Sequence, residues 1–418
     1  MERRTSKITA KSIQQSGLPS DYKKALAEYI WNGFDAGADT VSLDFNANAL
    51  GGLEQFSISD NGSGIDVATI DDTFGNFLDS GKRDLLKSGG FQRGRKGKGR
   101  YAFSTFAARA GWSTRFVGPQ GKVLSYRILI SRGDLQHFSI DDRLLVKDGD
   151  TGTVVEFFDF FDLSGPSLES VEFRDFLAGE FGWFLFLNRH REFRILINGL
   201  ELAYRDTIGD SRELVEQIGE DTFRIVFIRW NRRIGDRYFF YFLGSNQRER
   251  ARKHTSFNNR AIEFHHSVYI ESAFFDGFLE TEQDVPVLEG FGSNQAHPSF
   301  RALLKLLNGL VFAKEKEFIR EVQAERLVGE YAEKGFLSEV GLRHERLEQV
   351  LRELYCADPR IFAPSNSQQG RVLVGMLNLL LQKGGVEDLV GLVADVAELG
   401  DEEREALKGA LGYGLNLQ

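Results

Sequence analysis

At 418 residues the chain is too long for one compact core of ordinary size, which predicts two or three domains. With 42% hydrophobic and 27% charged residues and no apolar run approaching about eighteen residues, a membrane-spanning helix is excluded. A formal net charge of −9 argues against a generic nucleic-acid coat, and the single cysteine, Cys356, excludes an intrachain disulfide or a thiolate zinc cluster.

In chain order, the start "MERRTSKITAKSIQQ" lacks the apolar core of a signal peptide, so a cytoplasmic location is the default expectation. "SDYKKALAEYIWNGFDAG" predicts a helix that begins near Ser20 or Asp21, where a side chain can cap it, and ends near Gly37. Residues advance by about 100° each along a helix, so Glu28, Asn32 and Asp35 share one stripe. A solvated face is the ordinary explanation for three such residues taken alone.

"TVSLDF" and "EQFSISD" alternate like strands around the turn-forming "NANALGG", and a short helix is expected around 66 to 77. "DSGKRDLLKSGGFQRGRKGKG" carries too many glycines and charges for regular structure and reads as a mobile loop, of the length that is usually functional. "RYAFSTFAARAG" then reads as a helix, followed by strands at "WSTRFVG", "KVLSYRILI" and "GTVVEFFDF".

The next region is aromatic and strand-rich, with an Asn-Gly hairpin in "FRILINGLELAY" and strands at "TFRIVFIRW" and "RYFFYFLG". From about residue 298 the apolar repeat is helical. The expected organisation is an α/β domain over 1–163, a second α/β domain over 164–290 and a helical region over 291–418. The close of the chain leaves open that it is a piece of a longer protein.

Charge is uneven. Eight basic residues lie between Lys82 and Arg100 against Asp84 alone, and eight more between Arg229 and Lys253 against Asp236 and Glu249. Such patches can bind phosphates even on an acidic chain. The acidic stretch from Gly384 to Lys408 is most simply a solvated face. His265 and His266 are adjacent, which argues against a paired histidine ligand site on one helix face.

Four motifs follow in order: E-x-x-x-N-x-x-D-A from Glu28, D-x-G-x-G from Asp60 through Gly62 to Gly64, G-x-x-G-x-G at Gly94, Gly97 and Gly99, and a G-T pair ending at Thr153. Each alone is common; their order and placement are not. The set resembles the GHKL ATPases, the superfamily of DNA gyrase B subunits, ninety-kilodalton heat-shock chaperones, MutL proteins, histidine kinases and MORC proteins, over about residues 20 to 160. The P-loop pattern is absent, since "GRKGKGRY" does not fit it.

The resemblance implies a two-layer α/β sandwich, the Bergerat fold, with a transducer-like α/β domain and a helical region after it. It implies ATP and Mg²⁺ as cofactors. Asn32 matches the family's metal ligand, a neutral amide suited to a hard cation whose other ligands are phosphates and waters. Glu28 matches the general base that activates water. Asp60 matches the acceptor of the adenine amine, and Gly62 and Gly64 the turn against the base.

Thr153 resembles the threonine supporting the adenine, although an ordinary strand threonine explains it equally well. Asp35 fits the motif with either a structural or a nucleotide role. The loop from Gly81 to Gly99 resembles the family's lid, where either Lys96 or Lys98 can reach a β- or γ-phosphate. In gyrase-like relatives a transducer lysine meets the γ-phosphate; Lys253 is the candidate here, against a plain exposed basic loop.

Histidine kinases usually lack the glutamate and need an upstream phospho-accepting histidine, and no histidine precedes Glu28, which favours hydrolysis. The expected activity is an ATP-gated clamp, homodimeric when ATP is bound and associated with DNA. It looks nearest to MORC-like bacterial ATPases, some of which act in phage defence. A protein-remodelling chaperone, a regulatory ATP-binding module serving a partner protein or missing effector domain, and a monomeric ATPase are the alternatives. No motif supports a nuclease.

Overall fold

Asp21 opens the first helix, α1 (Tyr22–Asp35), by accepting the Lys23 backbone N–H at 2.9 Å, one of the donors that a helix start leaves unpaired. Gly37, at φ +80°, turns the chain away beyond its end. The computed structural model describes residues 2–5, 21–74, 99–146, 149–235, 237–257, 262–278, 294–337, 342–362 and 367–383, with isolated positions at 19, 391, 405, 408 and 409. Contacts divide the chain into two units, Met1–Lys253 with His266–Asn294, and His254–His265 with Gln295–Gln418.

The first unit is mixed α/β. Nine strands form its larger sheet: β1 (Glu2–Thr5), β2 (Thr40–Ala47), β3 (Leu53–Asp60), β4 (Ala107–Val117), β5 (Val123–Ser131), β6 (Asp134–Val146), β7 (Gly152–Phe160), β8 (Arg194–Ile197) and β9 (Leu200–Glu201). Their order is β1-β6-β5-β4-β7-β3-β2-β8-β9, antiparallel except where β2 pairs with β8. The Asn198–Gly199 turn makes the β8–β9 hairpin as expected, and the hairpin extends this first sheet.

Helix α1 lays Leu26, Ile30 and Phe34 into the core that also holds Ile58, Trp112 and Phe157 of the sheet. A second helix, α2 (Val171–Leu187), covers α1: Phe181 lies 4.7 Å from Trp31 and Phe184 lies 4.9 Å from Phe34, ring centre to ring centre. Helix α2 buries Phe173, Leu177, Phe181, Phe184, Leu185 and Leu187, while Val171, Glu172 and Asp175 in its first turns are exposed. Its outer residues Trp183, Phe186 and Leu187 join a second core with Val226, Ile228, Trp230, Tyr241 and Tyr269.

That second core belongs to a five-stranded sheet of β10 (Ile208–Ile218), β11 (Asp221–Trp230), β12 (Phe239–Leu243), β13 (Glu249–His254) and β14 (His266–Glu271). The order is β10-β11-β14-β12-β13, with β12 and β14 parallel.

Two sequence expectations differ from the structure. "RYAFSTFAARAG" is a 3₁₀ segment over Gly99–Thr105 followed by strand β4, because residues from Ala107 pair with both β5 and β7. Sheet pairing on both sides overrides the helix preference of its alanines. The region 165–285 is strand-rich as expected, holding β8 to β14, but it also contains α2, which was not foreseen and whose aromatic residues pack between two layers.

The second unit is helical: α3 (Pro298–Phe318), α4 (Ala324–Glu333), α5 (Leu342–Ala357) and α6 (Ser367–Lys383). A π-helical turn, Ile319–Gln323, joins α3 to α4. Phe300, Leu303, Leu307 and Val311 of α3 are buried at helical spacing, and Arg352 of α5 binds Glu325 of α4 at 2.6 Å. Among the described residues, no helix is long and apolar enough to cross a membrane.

Candidate nucleotide site

Pairing register sets the floor of the site. Val41, Asp60, Thr153 and Thr114 are direct cross-strand partners on β2, β3, β7 and β4, and partners of this kind share one face of a sheet. Asp60 is therefore flanked by a buried valine and a buried threonine. Thr114 and Thr153 place their hydroxyl oxygens 3.2 Å apart, and Thr114 also accepts the Ile65 backbone N–H at 2.9 Å.

Asp60 receives backbone N–H groups from Gly62, at 2.9 Å, and from Thr153. Burial outweighs these bonds and raises its carboxyl from the ordinary 3.8 to about 6. The sign follows. The folded chain holds this proton more tightly than the unfolded chain, so the stability it contributes is fully present below pH 3.8 and is lost as pH rises through about 6.

Helix α1 rests directly on this floor. A Cβ at Gly33 would lie 2.8 Å from Val41 Cγ2 and 3.0 Å from Asp60 Cβ, so the helix approaches as it does because no side chain stands there. One at Gly62 would lie 2.8 Å from the Ala36 carbonyl oxygen. Gly64, at φ +73°, brings its Cα so near the Arg115 backbone that an added Cβ would lie 2.0 Å from the carbonyl oxygen. Gly152 approaches the Asp60 carbonyl in the same way, with a Cβ position 2.3 Å away. The segments around positions 62, 64 and 152 thus meet their neighbours through backbone, and Gly33 meets the side chains of Val41 and Asp60.

Glu28 and Asn32 line a cavity of about 280 Å³ with Lys24, Ala27, Trp31, Phe176 and Glu180. Gly99 closes on the same pair, its Cβ position 3.1 Å from Glu28 Oε2 and 3.2 Å from Asn32 Nδ2. Asp60 does not line that cavity; it lies under Gly33, the residue that follows Asn32 on α1. Asp35 is half-buried at the end of the same stripe. Gly94, Lys96, Gly97 and Lys98 fall outside the described residues. Lys253 stands exposed on β13, the edge strand of the second sheet.

Two features of this region had no sequence signal. The buried Tyr29 hydroxyl donates to the Arg100 carbonyl at 3.2 Å and accepts the Phe103 N–H at 3.0 Å, pinning the 99–105 segment to α1. Thr114 on β4 joins Thr153 on β7 to Ile65 in the loop after β3, and such partnership is visible only once the strands are paired. Among the described residues no group of three or more histidine, cysteine or acidic side chains is placed to hold a metal ion. A metal beside Asn32 would therefore take most of its ligands from phosphates and water, as Mg²⁺ does with nucleotides.

Residues 20–134 match the family model described as histidine kinase-, DNA gyrase B-, and HSP90-like ATPase. The match covers about a quarter of the chain and supports placing this segment in the GHKL superfamily, with ATP binding and hydrolysis as its activity. The mixed α/β architecture and helical C-terminal region agree with that fold. A search of curated proteins returned no match.

Proposed function

We propose that this chain is a Mg²⁺-dependent ATPase whose turnover is gated by closure over the nucleotide and coupled to DNA. The observation that carries the reading is that one helix presents Glu28 and Asn32 to a cavity and to Gly99, and rests through Gly33 on the half-buried Asp60. Asp60, in a setting poor in water, accepts the adenine amine; guanine would leave it without a donor. Asn32 and phosphate oxygens hold the metal, which when bound neutralises charge on the phosphates. Glu28 orients a water molecule and takes its proton. Asp35 and Thr153 support the two ends of the site, and the glycines and lysines of 94–99 cradle the phosphates.

In its lid sequence the chain is nearest to MORC-like bacterial ATPases, and in that reading ATP closes two copies into a dimer. DNA association rests on the eight basic residues between Lys82 and Arg100. The second basic cluster adds less than its count implies. Arg232 is paired with Asp175 at 2.5 Å, Arg250 lies 3.9 Å from Asp276, and Arg232, Arg233 and Arg248 line a cavity.

ATP hydrolysis measured with and without duplex DNA at several salt concentrations tests the coupling. Turnover is expected to rise with DNA, and the rise to fall steeply with salt. Turnover indifferent to DNA discards the DNA partner and leaves the ATPase standing.

Adenosine binding tests Asp60 apart from the phosphates, which titrate in the same range. Because the carboxyl titrates near 6, only about a tenth of it is ionised at pH 5. Adenosine affinity, by calorimetry, is expected to drop about tenfold between pH 7.5 and pH 5 in the wild type, and this dependence is expected to vanish in Asp60→Asn. A flat wild-type profile assigns the base contact elsewhere.

A further inference from the structure

The nucleotide site has a direction. Asp60, at its base end, lies under Gly33, and Glu28 stands earlier on α1. Lys24 stands earlier still, about 13 Å from Gly33 along the axis, since an α-helix rises about 1.5 Å per residue. We propose that Lys24, with Arg233 of the loop after β11, receives inorganic phosphate, the second product of hydrolysis. The proposal rests on the ATPase reading.

Reaction geometry decides where that product appears. Water attacks the γ-phosphorus in line with the departing ADP, and its oxygen bonds to phosphorus as the bond to the β,γ-bridging oxygen breaks. The electron pair of the broken bond stays on ADP, and the water's proton passes to Glu28. Attack from the Glu28 side leaves the phosphate away from the base, towards the earlier turns of α1. There it meets carboxylates. Among the described residues lining the 280 Å³ cavity, Glu28 and Glu180 are acidic and Lys24 is the one cation.

Lys24 is available to offset them. Lysine and glutamate four apart on a helix are neighbours that can pair, yet the Lys24 ammonium has no hydrogen bond or ion pair among the described residues. Lys24, Trp31, Phe176 and Glu180 also line a larger neighbouring cavity, of about 540 Å³, between α2 and the second sheet. Lys24 therefore stands where the two spaces share a wall.

Arg233 lines the larger space. Its loop is held there by Arg232, which binds the Asp175 carboxylate at 2.5 Å and reaches the Asp175 backbone carbonyl at 3.4 Å. Arg233 itself is exposed and has no hydrogen bond or ion pair among the described residues. The acidic residues lining this cavity are already engaged. Asp175 is taken by Arg232, Glu180 accepts from Trp31 Nε1 at 3.1 Å, and Glu249 lies 3.9 Å from Arg252. Lys24 and Arg233 are left as two uncommitted cations lining one cavity, and phosphate oxygens accept charge-assisted bonds from both residue types.

Inorganic phosphate is the probe, titrated by calorimetry into the full chain saturated with Mg²⁺ and ADP at low ionic strength. One phosphate is expected to bind per chain. Lys24→Met and Arg233→Met remove charge and keep much of the side-chain length. Each is expected to weaken phosphate about five- to tenfold, with ADP affinity within about twofold of wild type. Gly179 of α2 also lines the larger cavity, and nothing lies within 4 Å of its Cβ position, so a side chain fits there. Gly179→Glu is expected to weaken phosphate about threefold or more and Gly179→Lys to strengthen it, an opposition that a structural effect would not give. Absence of phosphate binding in the ADP-bound wild type, unchanged affinity in Lys24→Met or Arg233→Met, equal losses of phosphate and ADP, or equal effects of the two Gly179 variants overturns the proposal. ADP bound without phosphate overturns it alone, whereas a chain that binds no ADP loses the ATPase reading and the product assignment with it.

Discussion

Glu28→Gln is expected to lower ATP turnover by about 10²- to 10⁴-fold while leaving ATP affinity within a few-fold of wild type. The substitution keeps the size of the side chain and its place against Gly99, where the carboxylate now stands 3.1 Å from the glycine's Cβ position. What it removes is the capacity to take a proton from water. Asn32, one helical turn further on, still faces the same cavity, so the proposed metal ligand is untouched. Single-turnover hydrolysis and equilibrium ATP binding, measured side by side, check the split. Undiminished turnover removes Glu28 from the chemistry, whereas joint loss of binding and turnover makes it a structural residue of α1. In Asn32→Ala both quantities should fall together, which separates the two neighbours.

Gly64→Ala is expected to destabilise the first unit by about 2–5 kcal/mol. At φ +73° an alanine costs about 1–2 kcal/mol in backbone strain. The new methyl would also sit 2.0 Å from the Arg115 carbonyl oxygen, and forcing such a contact apart adds about 1–3 kcal/mol. The obstacle is backbone held in a sheet and cannot swing aside. Gly37→Ala is the control: its φ is +80° but nothing lies within 4 Å, so only the strain is expected. Trp31, Trp112, Trp183 and Trp230 all belong to the first unit and are the chain's four tryptophans, so urea unfolding followed by tryptophan fluorescence reads this unit alone. Equal midpoints for the two variants would show that the loop at residue 64 relaxes without cost.

How much of this could be read from the residues varies with the range of the interaction. Helix α1 was legible at both ends, because Asp21 and Gly37 act within a few residues of themselves. The stripe of Glu28, Asn32 and Asp35 was legible for the same reason. The Asn198–Gly199 hairpin was also local, but its attachment to β2 was not, since that parallel pairing joins residues more than 150 positions apart. Strand β4 was misread because its alanines speak for helix and its partners are distant. Helix α2 was missed because its aromatic residues pack both towards α1 and towards the second sheet, which leaves only a weak helical period. At the site, Asp60 carried a motif, whereas Thr114 and Tyr29 matter through partners far along the chain.

The position of α2 bears on how this protein could be dissected. Its inner rings roof Trp31 and Phe34, while Trp183, Phe186 and Leu187 on its outer side form part of the foundation of the five-stranded sheet. Neither sheet owns this helix, so a fragment cut on either side of it would leave one of them with a bare oily surface. An expression boundary drawn through the 160s would make the trimmed piece prone to clumping for reasons unrelated to its catalytic competence.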